Sequence, residues 1–122
     1  MEALGFRVNL WEHAFAHPDS PLFSVLEERS GSFPAMNGLV PDFLMPKVCE
    51  AFITHHEGLI AQGVQGFKLD EGDNSDFIQT PWSFPEHTQF PSGLDGEQMH
   101  SFLGVAYQRA ILEAFNRQDL RT

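Results

Sequence analysis

The first periodic segment of the chain alternates apolar and polar positions. Over residues 5–11, written GFRVNLW, apolar side chains occupy every second position. A period of two is typical of a strand that buries one face. The pattern therefore predicts a strand that ends at Trp11.

A later segment has the spacing of an amphipathic helix. Val48, Phe52 and Leu59 fall on one face at intervals of about 3.6 residues per turn. Pro46 suits the first turn of a helix, and Gly63 is a natural stop. The pattern predicts a helix between these two residues.

Two further helices are marked by their first residues. Ser20 and Pro21 predict the start of a short helix, which Gly31 would end. Asp95 predicts the start of a long helix, with Gln98 as the partner in a capping box. The expected buried face of the long helix consists of Met99, Phe102, Leu103, Ala106, Ala110 and Ala114.

A second strand is predicted over residues 64–69, with Asp70 at its carboxyl end. Residues 30–45 and 71–96 are rich in Gly, Pro, Ser and Asn, and they predict loops. Strands that alternate with helices indicate an α/β fold with parallel pairing. Two strands alone leave both sheet edges open, so the pattern favours a piece of a larger sheet.

The charge balance narrows the classes of partner. The 122 residues carry a formal net charge of −10 and contain no cluster of Lys and Arg. Nucleic-acid binding depends on such clusters, so no nucleic-acid partner is expected. The first residues do not resemble a signal peptide, and no apolar run approaches the ~20 residues of a membrane helix. No membrane association is expected, and localisation and oligomeric state stay open.

Asp70 is the sharpest candidate for chemistry. In parallel α/β folds, side chains at the carboxyl ends of strands face the active site. Lys68 lies two residues earlier, so it points to the same side of the strand and would lower the pKa of Asp70. An ionised carboxylate is what nucleophilic attack on a sugar carbon requires. The alternative is a strand-end aspartate that makes a turn contact.

Metal sites are not predicted. The run DEGDNSD, residues 70–76, lacks the ligand register of an EF-hand calcium loop. His13 and His17 are four residues apart, but Pro18 argues against one helix face. His55 and His56 do not match the zinc-protease pattern H-E-x-x-H. We expect neither a metal nor another cofactor.

Aromatic residues offer a second type of site. Trp11, Trp82 and Phe84 would suit a stacking platform for sugar rings if they were exposed. Ordinary packing of large apolar side chains is the alternative. Trp11 is the stronger candidate because it is predicted to end a strand, as Asp70 does.

Several segments resemble glycoside hydrolase family 31, the α-glucosidase and α-xylosidase family. GFKLDEGD resembles the nucleophile segment, in which a strand of the form G-[apolar]-K/W-x-D precedes a short acidic turn. GFRVNLWEHAFAHPDSPLF resembles the preceding barrel strand and its small SPLF helix. VPDFLMPKVCEAF resembles the P/Y-D-F-T-N-P segment that opens the next helix, although Leu44 and Met45 replace T-N and weaken the cap. The resemblance covers essentially the whole chain.

The resemblance implies a (β/α)8 TIM barrel and a retaining mechanism with two carboxyl groups. By position, Asp70 matches the nucleophile, Lys68 matches a substrate-contacting residue, and Trp11 matches an aromatic that lines the sugar site. Asp42 lies in the P-D-F segment and is expected to be structural. The implied ligand is an α-linked oligosaccharide or other α-glycoside.

The resemblance also implies what the 122 residues lack. The family's acid/base aspartate lies on a later barrel strand, and no matching segment is found here. We therefore expect residues 1–122 to be a fragment of the catalytic domain, about two βα units of an incomplete barrel. The isolated chain is expected to be inactive. The alternatives are a non-catalytic carbohydrate-binding or interaction fragment, or a truncated gene product without activity of its own.

Overall fold

The order of elements matches the one predicted from the hydrophobic pattern. A computed structural model describes residues 2–73 and 82–119 of the chain. A 3-10 turn at Glu2–Leu4 precedes the following elements: β1 (Val8–His13), α1 (Phe23–Leu26), α2 (Pro46–Ala61), β2 (Val64–Asp70) and α3 (Gly96–Asp119). Residues 74–81 fall between the two described ranges, so much of the predicted loop over 71–96 lies outside them.

The two strands pair in parallel, as predicted. Their register runs from Val8 opposite Val64 to His13 opposite Asp70. Among the described residues they form an unclosed two-stranded sheet. α1 and α2 lie between the two strands in the chain, and α3 follows β2. The described part of the chain is therefore an α/β unit without the closed sheet of a complete barrel.

Some predicted boundaries were wrong. β1 begins at Val8 rather than residue 5 and continues past Trp11 to His13, where it pairs with the last residue of β2. Gly5 has a φ of +77°, which interrupts the extended backbone before the strand. α1 ends at Leu26 rather than near Gly31, and the Gly31 amide instead donates to the Val40 carbonyl at 2.8 Å.

The predicted start and end of α2 are confirmed. The helix begins at Pro46, and the residue before it, Met45, makes no side-chain capping bond. After the helix, Gly63 adopts a φ of +99°, a left-handed conformation that glycine tolerates best. The chain then turns directly into β2.

The predicted capping box at the start of α3 is also confirmed. The Gln98 backbone N–H donates to Asp95 Oδ1 at 2.9 Å, and the Asp95 N–H donates to Gln98 Oε1 at 3.1 Å. The predicted buried face is correct except that Phe102 is only partly buried, and Tyr107 and Ile111 join it. These two additions lie beside Ala106 and Ala110 on the same helical face.

The core lies between the sheet and the pair α2 and α3. Phe43, Phe52 and Tyr107 form its aromatic centre, with ring centroids 4.8 Å apart for the two phenylalanines. The Phe67 ring of β2 contacts His56 of α2 and therefore faces the helices. Neighbouring residues of a strand point to opposite faces, so the side chains of alternate positions point away from the helices.

A buried aspartate ties two loops together. Asp42 is fully buried, and its Oδ2 accepts the Ser92 backbone N–H at 2.7 Å. Its Oδ1 accepts the Leu44 N–H at 3.1 Å. These contacts are those of the structural residue that its position in the P-D-F segment predicted. Within the two described ranges, no helix combines the length and the apolar character needed to cross a bilayer.

Candidate active site

Asp70 lies at the carboxyl end of β2, on the sheet face that points away from the helices. It is the last residue of the strand, and its register partner on β1 is His13. Trp11 pairs with Lys68 two residues earlier. Paired residues in a parallel sheet share a face, so these four side chains line one side of the strand ends.

The three residues predicted for the site are brought together. Asp70 Oδ2 accepts a hydrogen bond from Trp11 Nε1 at 2.6 Å and a charge-assisted bond from Lys68 Nζ. The Asp70 side chain is 38% exposed and the Lys68 side chain is 61% exposed, so solvent reaches both. The two donors converge on one oxygen of the carboxylate.

These donors determine the ionisation of Asp70. Hydrogen bonding from Lys68, followed by that from Trp11, lowers the pKa of Asp70 to about 2. Both donors stabilise the charged form, and the Lys68 charge acts in the same direction. At neutral pH the group is therefore a carboxylate, as a nucleophile would have to be.

The second carboxylate oxygen makes a weaker contact. Asp70 Oδ1 accepts only a long hydrogen bond from the Glu71 backbone N–H, at 3.2 Å, among the described residues. This is the turn contact that the sequence left open as an alternative. It leaves Oδ1 less constrained than Oδ2, so the turn contact and a chemical role can coexist in the same side chain.

The backbone after Asp70 turns sharply. Glu71 has a φ of +58°, which is uncommon for a residue with a side chain. Gly72 then lies against α3, where a Cβ added to Gly104 would sit 2.5 Å from the Gly72 carbonyl oxygen. The absence of a side chain at Gly104 allows this close approach, which fixes the path of the chain leaving the site.

His13 belongs to the same sheet face and was not predicted as part of this site. Its ring lies between those of Trp11 and Phe15, with centroids 5.4 Å from each. Its Nδ1 is buried and has no hydrogen-bond partner within residues 2–73 and 82–119. The period of β1 places His13 two residues after Trp11, and extending the predicted strand by two residues would have found it.

Glu12, between Trp11 and His13, faces the helices instead. Its carboxylate contacts His56 Nε2 at 2.8 Å and accepts the Tyr107 hydroxyl at 2.7 Å. The nearest acidic neighbour of the site along β1 is therefore engaged in the core. It does not share a face with Asp70.

The predicted aromatic platform is only partly correct. Phe84 is fully buried, because it packs against Phe90 and His100 in the core, and so it cannot stack on a ligand. Trp11 and Trp82 are exposed by 57% and 41%. They have different neighbours, since Trp82 packs on His100 of α3 whereas Trp11 contacts Asp70 and His13.

The possible metal ligands of the described residues do not cluster. Across the ranges that the structure describes, His, Cys, Asp and Glu side chains form no group of three that could bind a metal ion. His17 is engaged locally, since its Nδ1 accepts the Asp19 backbone N–H at 3.2 Å. Part of the acidic run at residues 70–76 lies outside the described residues.

The chain matches a known protein family. The sequence matches the TIM-barrel domain of the glycosyl hydrolases of family 31 over residues 12–122. The matched range includes the end of β1, all of β2 and the carboxylate at its end. It covers most of the chain, in agreement with the resemblance of the segments around Asp70. The chain therefore belongs to glycosyl hydrolase family 31, with residues 12–122 in its TIM-barrel domain.

Proposed function

We propose that Asp70 is the nucleophile of a retaining glycosidase site that acts on α-linked sugars. The observation that carries this proposal is the position and charge of one carboxylate. Asp70 ends β2, and Trp11 and Lys68 hold its Oδ2 in the ionised state. Family membership supports the chemical class, since glycoside hydrolases cleave glycosidic bonds.

The proposed chemistry uses the less constrained oxygen. Asp70 Oδ1 attacks the anomeric carbon while the bond from that carbon to the leaving-group oxygen breaks. A glycosyl ester forms on Asp70, and the leaving oxygen takes a proton from a general acid. Water then attacks the same carbon and gives a proton to the group that had acted as the acid, and Asp70 leaves as a carboxylate. A group with a low pKa is a good leaving group in this second step.

Trp11 and Lys68 have distinct roles in this proposal. Lys68 keeps Asp70 ionised and lies where it can also donate to a sugar hydroxyl. Trp11 anchors Oδ2 through its indole N–H, and its exposed ring offers a surface for the apolar face of a sugar. The carboxylate is thereby oriented before the substrate binds, which lowers the entropic cost of attack.

The general acid is the second half of the mechanism. A retaining glycosidase places its two carboxyl groups about 5 to 5.5 Å apart. We propose that this acid is not among the 122 residues. The isolated chain should then fail to hydrolyse alkyl α-glucosides such as methyl α-glucoside, whose leaving oxygen requires a proton.

A trapping experiment tests the nucleophile without requiring the general acid. A fluorinated α-glucosyl fluoride carries its own good leaving group, so it can glycosylate a nucleophile without proton donation. We expect the intact chain to gain the mass of one glycosyl unit, and peptide mapping should place that unit on Asp70. The Asp70→Asn variant should not be labelled.

Asp19→Asn is the matched control, because the Asp19 side chain is 95% exposed and lies outside the site. It should be labelled as the unchanged chain is. Labelling that persists in Asp70→Asn, or no labelling of the unchanged chain, would count against Asp70 as the nucleophile. Turnover of alkyl α-glucosides by the isolated chain would overturn the statement that the acid is absent.

A further inference from the structure

A second exposed tryptophan lines a groove at the start of α3. Trp82, Pro85, Glu86 and His87 border a surface groove of about 250 Å³, here termed the Trp82 surface. Trp82 is 41% exposed, which is unusual for the largest apolar side chain. The surface has no residue in common with the site around Asp70.

The indole ring is supported from beneath by a stack of rings. The His100 ring lies 4.4 Å from that of Trp82, and the Phe84 ring lies 4.2 Å from that of His100. His100 Nε2 also hydrogen-bonds the Phe84 carbonyl at 2.8 Å. Since Phe84 is fully buried, the stack anchors the exposed indole directly to the core.

The backbone of the Trp82 surface is also fixed. The Pro85 carbonyl accepts bonds from the Thr88 N–H and hydroxyl at 3.0 and 2.7 Å. The Glu86 carbonyl accepts the Gly96 N–H at 2.9 Å, and a side chain at Gly96 would collide with the Pro85 carbonyl. A surface ordered before binding loses little conformational entropy when a ligand arrives.

The polar groups beside the indole suit a hydroxylated ligand. The Glu86 carboxylate can accept hydrogen bonds, and the His87 imidazole can donate and accept them. Glu86 also lies close enough to His100 to oppose the lowering of the His100 pKa by burial, which places its charge near the stack. A pyranose ring combines an apolar C–H face with a rim of hydroxyls, which this combination of groups matches.

The Trp82 surface lies near the end of the sheet that carries Asp70. His100 is one helical turn from Gly104, about 6 Å along the axis of α3. Gly104 is the residue against which the turn after Asp70 packs, through Gly72. The Trp82 surface and the turn after Asp70 therefore both contact the amino-terminal half of α3.

We infer that the Trp82 surface binds one hexopyranose ring of an oligosaccharide, separate from the ring bound at Asp70. The chemical class of the ligand follows from family membership. The assignment of a second ring rests on the proposed glycosidase site, because Asp70 and Trp11 would hold the first. Trp82 supplies the stacking face, and Glu86 and His87 supply the hydroxyl contacts.

The presence of two tryptophans in the chain makes a direct test possible. In the 15N-labelled full chain, the two indole N–H resonances are assigned with Trp11→Phe and Trp82→Phe. The chain is then titrated with maltotriose, isomaltotriose and nigerotriose. We expect at least one of these sugars to shift the Trp82 resonance saturably, and to do so in Trp11→Phe as well.

A substitution then measures what the surface contributes. Trp82→Ala should weaken binding of the responding trisaccharide, followed at the Trp11 resonance, by about three- to tenfold. Binding of methyl α-glucoside should not change. The matched control is Leu112→Ala, at an exposed apolar position of α3 outside the Trp82 surface. This variant should bind the trisaccharide as the unchanged chain does. Circular dichroism checks that each variant is folded, and Glu86→Gln, which preserves the stack, should weaken trisaccharide binding as well.

The outcomes separate this inference from the proposed function. If Trp11 responds and Trp82 does not, the second surface is wrong and the Asp70 site stands. If Trp82 responds and Trp11 does not, the surface stands and the result counts against the Asp70 site. If neither resonance moves with any of the three sugars, both are contradicted.

Discussion

At the scale of single residues, the two oxygens of Asp70 have different environments. Oδ2 receives the donors from Trp11 and Lys68, whereas Oδ1 receives one long backbone bond within the described ranges. A solvent-exposed ion pair such as Lys68–Asp70 contributes little to stability. Its main effect is on the protonation of Asp70, which is the property that the proposed chemistry requires.

Replacing Lys68 should raise the pKa of Asp70. In Lys68→Met, we expect the pKa of Asp70 to move from about 2 toward its ordinary value of about 3.9, because the largest stabilising donor is lost. Trp11→Phe should raise it less, since the indole is the second donor. The measurement is a 13C NMR titration of the Asp70 carboxyl group, with the exposed Lys47→Met as control. An unchanged pKa in Lys68→Met would show that Lys68 does not control this carboxylate.

The same shift predicts how stability depends on pH. A lowered pKa in the folded state contributes stability above the unfolded value of about 3.9, and this contribution is lost as the pH falls toward 2. The unchanged chain should therefore lose slightly more stability than Lys68→Met between about pH 5 and pH 2, a small difference because the pair is exposed to solvent. Urea denaturation at a series of pH values would measure the difference.

At the scale of elements, a polar cluster connects the sheet to both long helices. His56 is 1% exposed, and its Nδ1–H donates to the Phe52 carbonyl at 2.7 Å. His56 Nε2 lies 2.8 Å from a Glu12 carboxylate oxygen, so the two side chains share a hydrogen bond. Burial, and then Glu12, raises the pKa of Tyr107, which stays protonated and donates to the same carboxylate.

Removing either partner of Glu12 should destabilise the fold. We expect His56→Leu to cost about 3 kcal/mol, because a largely buried carboxylate loses one of its two hydrogen-bond partners. Tyr107→Phe should cost about 1 to 2 kcal/mol, because one bond to a charged group is lost. Urea denaturation monitored by circular dichroism would give both free energies of unfolding.

His55→Leu is the control for this cluster. His55 is the neighbour of His56 on α2, and burial lowers its pKa, so an apolar side chain of similar size replaces a neutral ring. The free energy of unfolding of His55→Leu should differ from that of the unchanged chain by less than about 0.5 kcal/mol. An effect as large as that of His56→Leu would mean that packing, rather than the contact with Glu12, is responsible.

At the scale of the whole molecule, the two faces of the sheet are covered unequally. The helices cover the face that carries Glu12 and Phe67, and the described residues leave Trp11 and Lys68 exposed on the other. Within those residues each strand also has a neighbour on one side only. The carboxylate end of β2 is thus accessible, whereas the core between the sheet and the helices is closed.

Hydrogen exchange should show the difference between the open edge of β1 and the closed core. We expect the β1 amides that do not point toward β2 to exchange at least about a hundredfold faster than the buried α3 amides around Leu103. NMR-detected exchange at two protein concentrations would measure the rates. Equal protection of both groups would indicate that another chain covers the strand edge, and a dependence on concentration would identify a second copy of this chain.

The sequence alone predicted most of the local structure and one part of the candidate site. Apolar spacing predicted both strands and the long helices, and the Asp95–Gln98 capping box predicted the start of α3. The two-residue period placed Lys68 on the same side as Asp70, where their side chains meet. Each of these signals depends on residues a few positions apart, and local backbone geometry is enough to interpret them.

Only the tertiary structure decided which distant residues meet. The bond from Trp11 to Asp70 joins residues 59 positions apart, and it follows from the register of β1 against β2. The burial of Phe84 and the pairing of Glu12 with His56 depend in the same way on how the elements pack. A one-residue shift of register would turn every side chain to the other face, and no short sequence pattern specifies that register. The sequence therefore determined the carboxylate at a strand end and its Lys68 donor, while packing determined that Trp11 donates to the same oxygen.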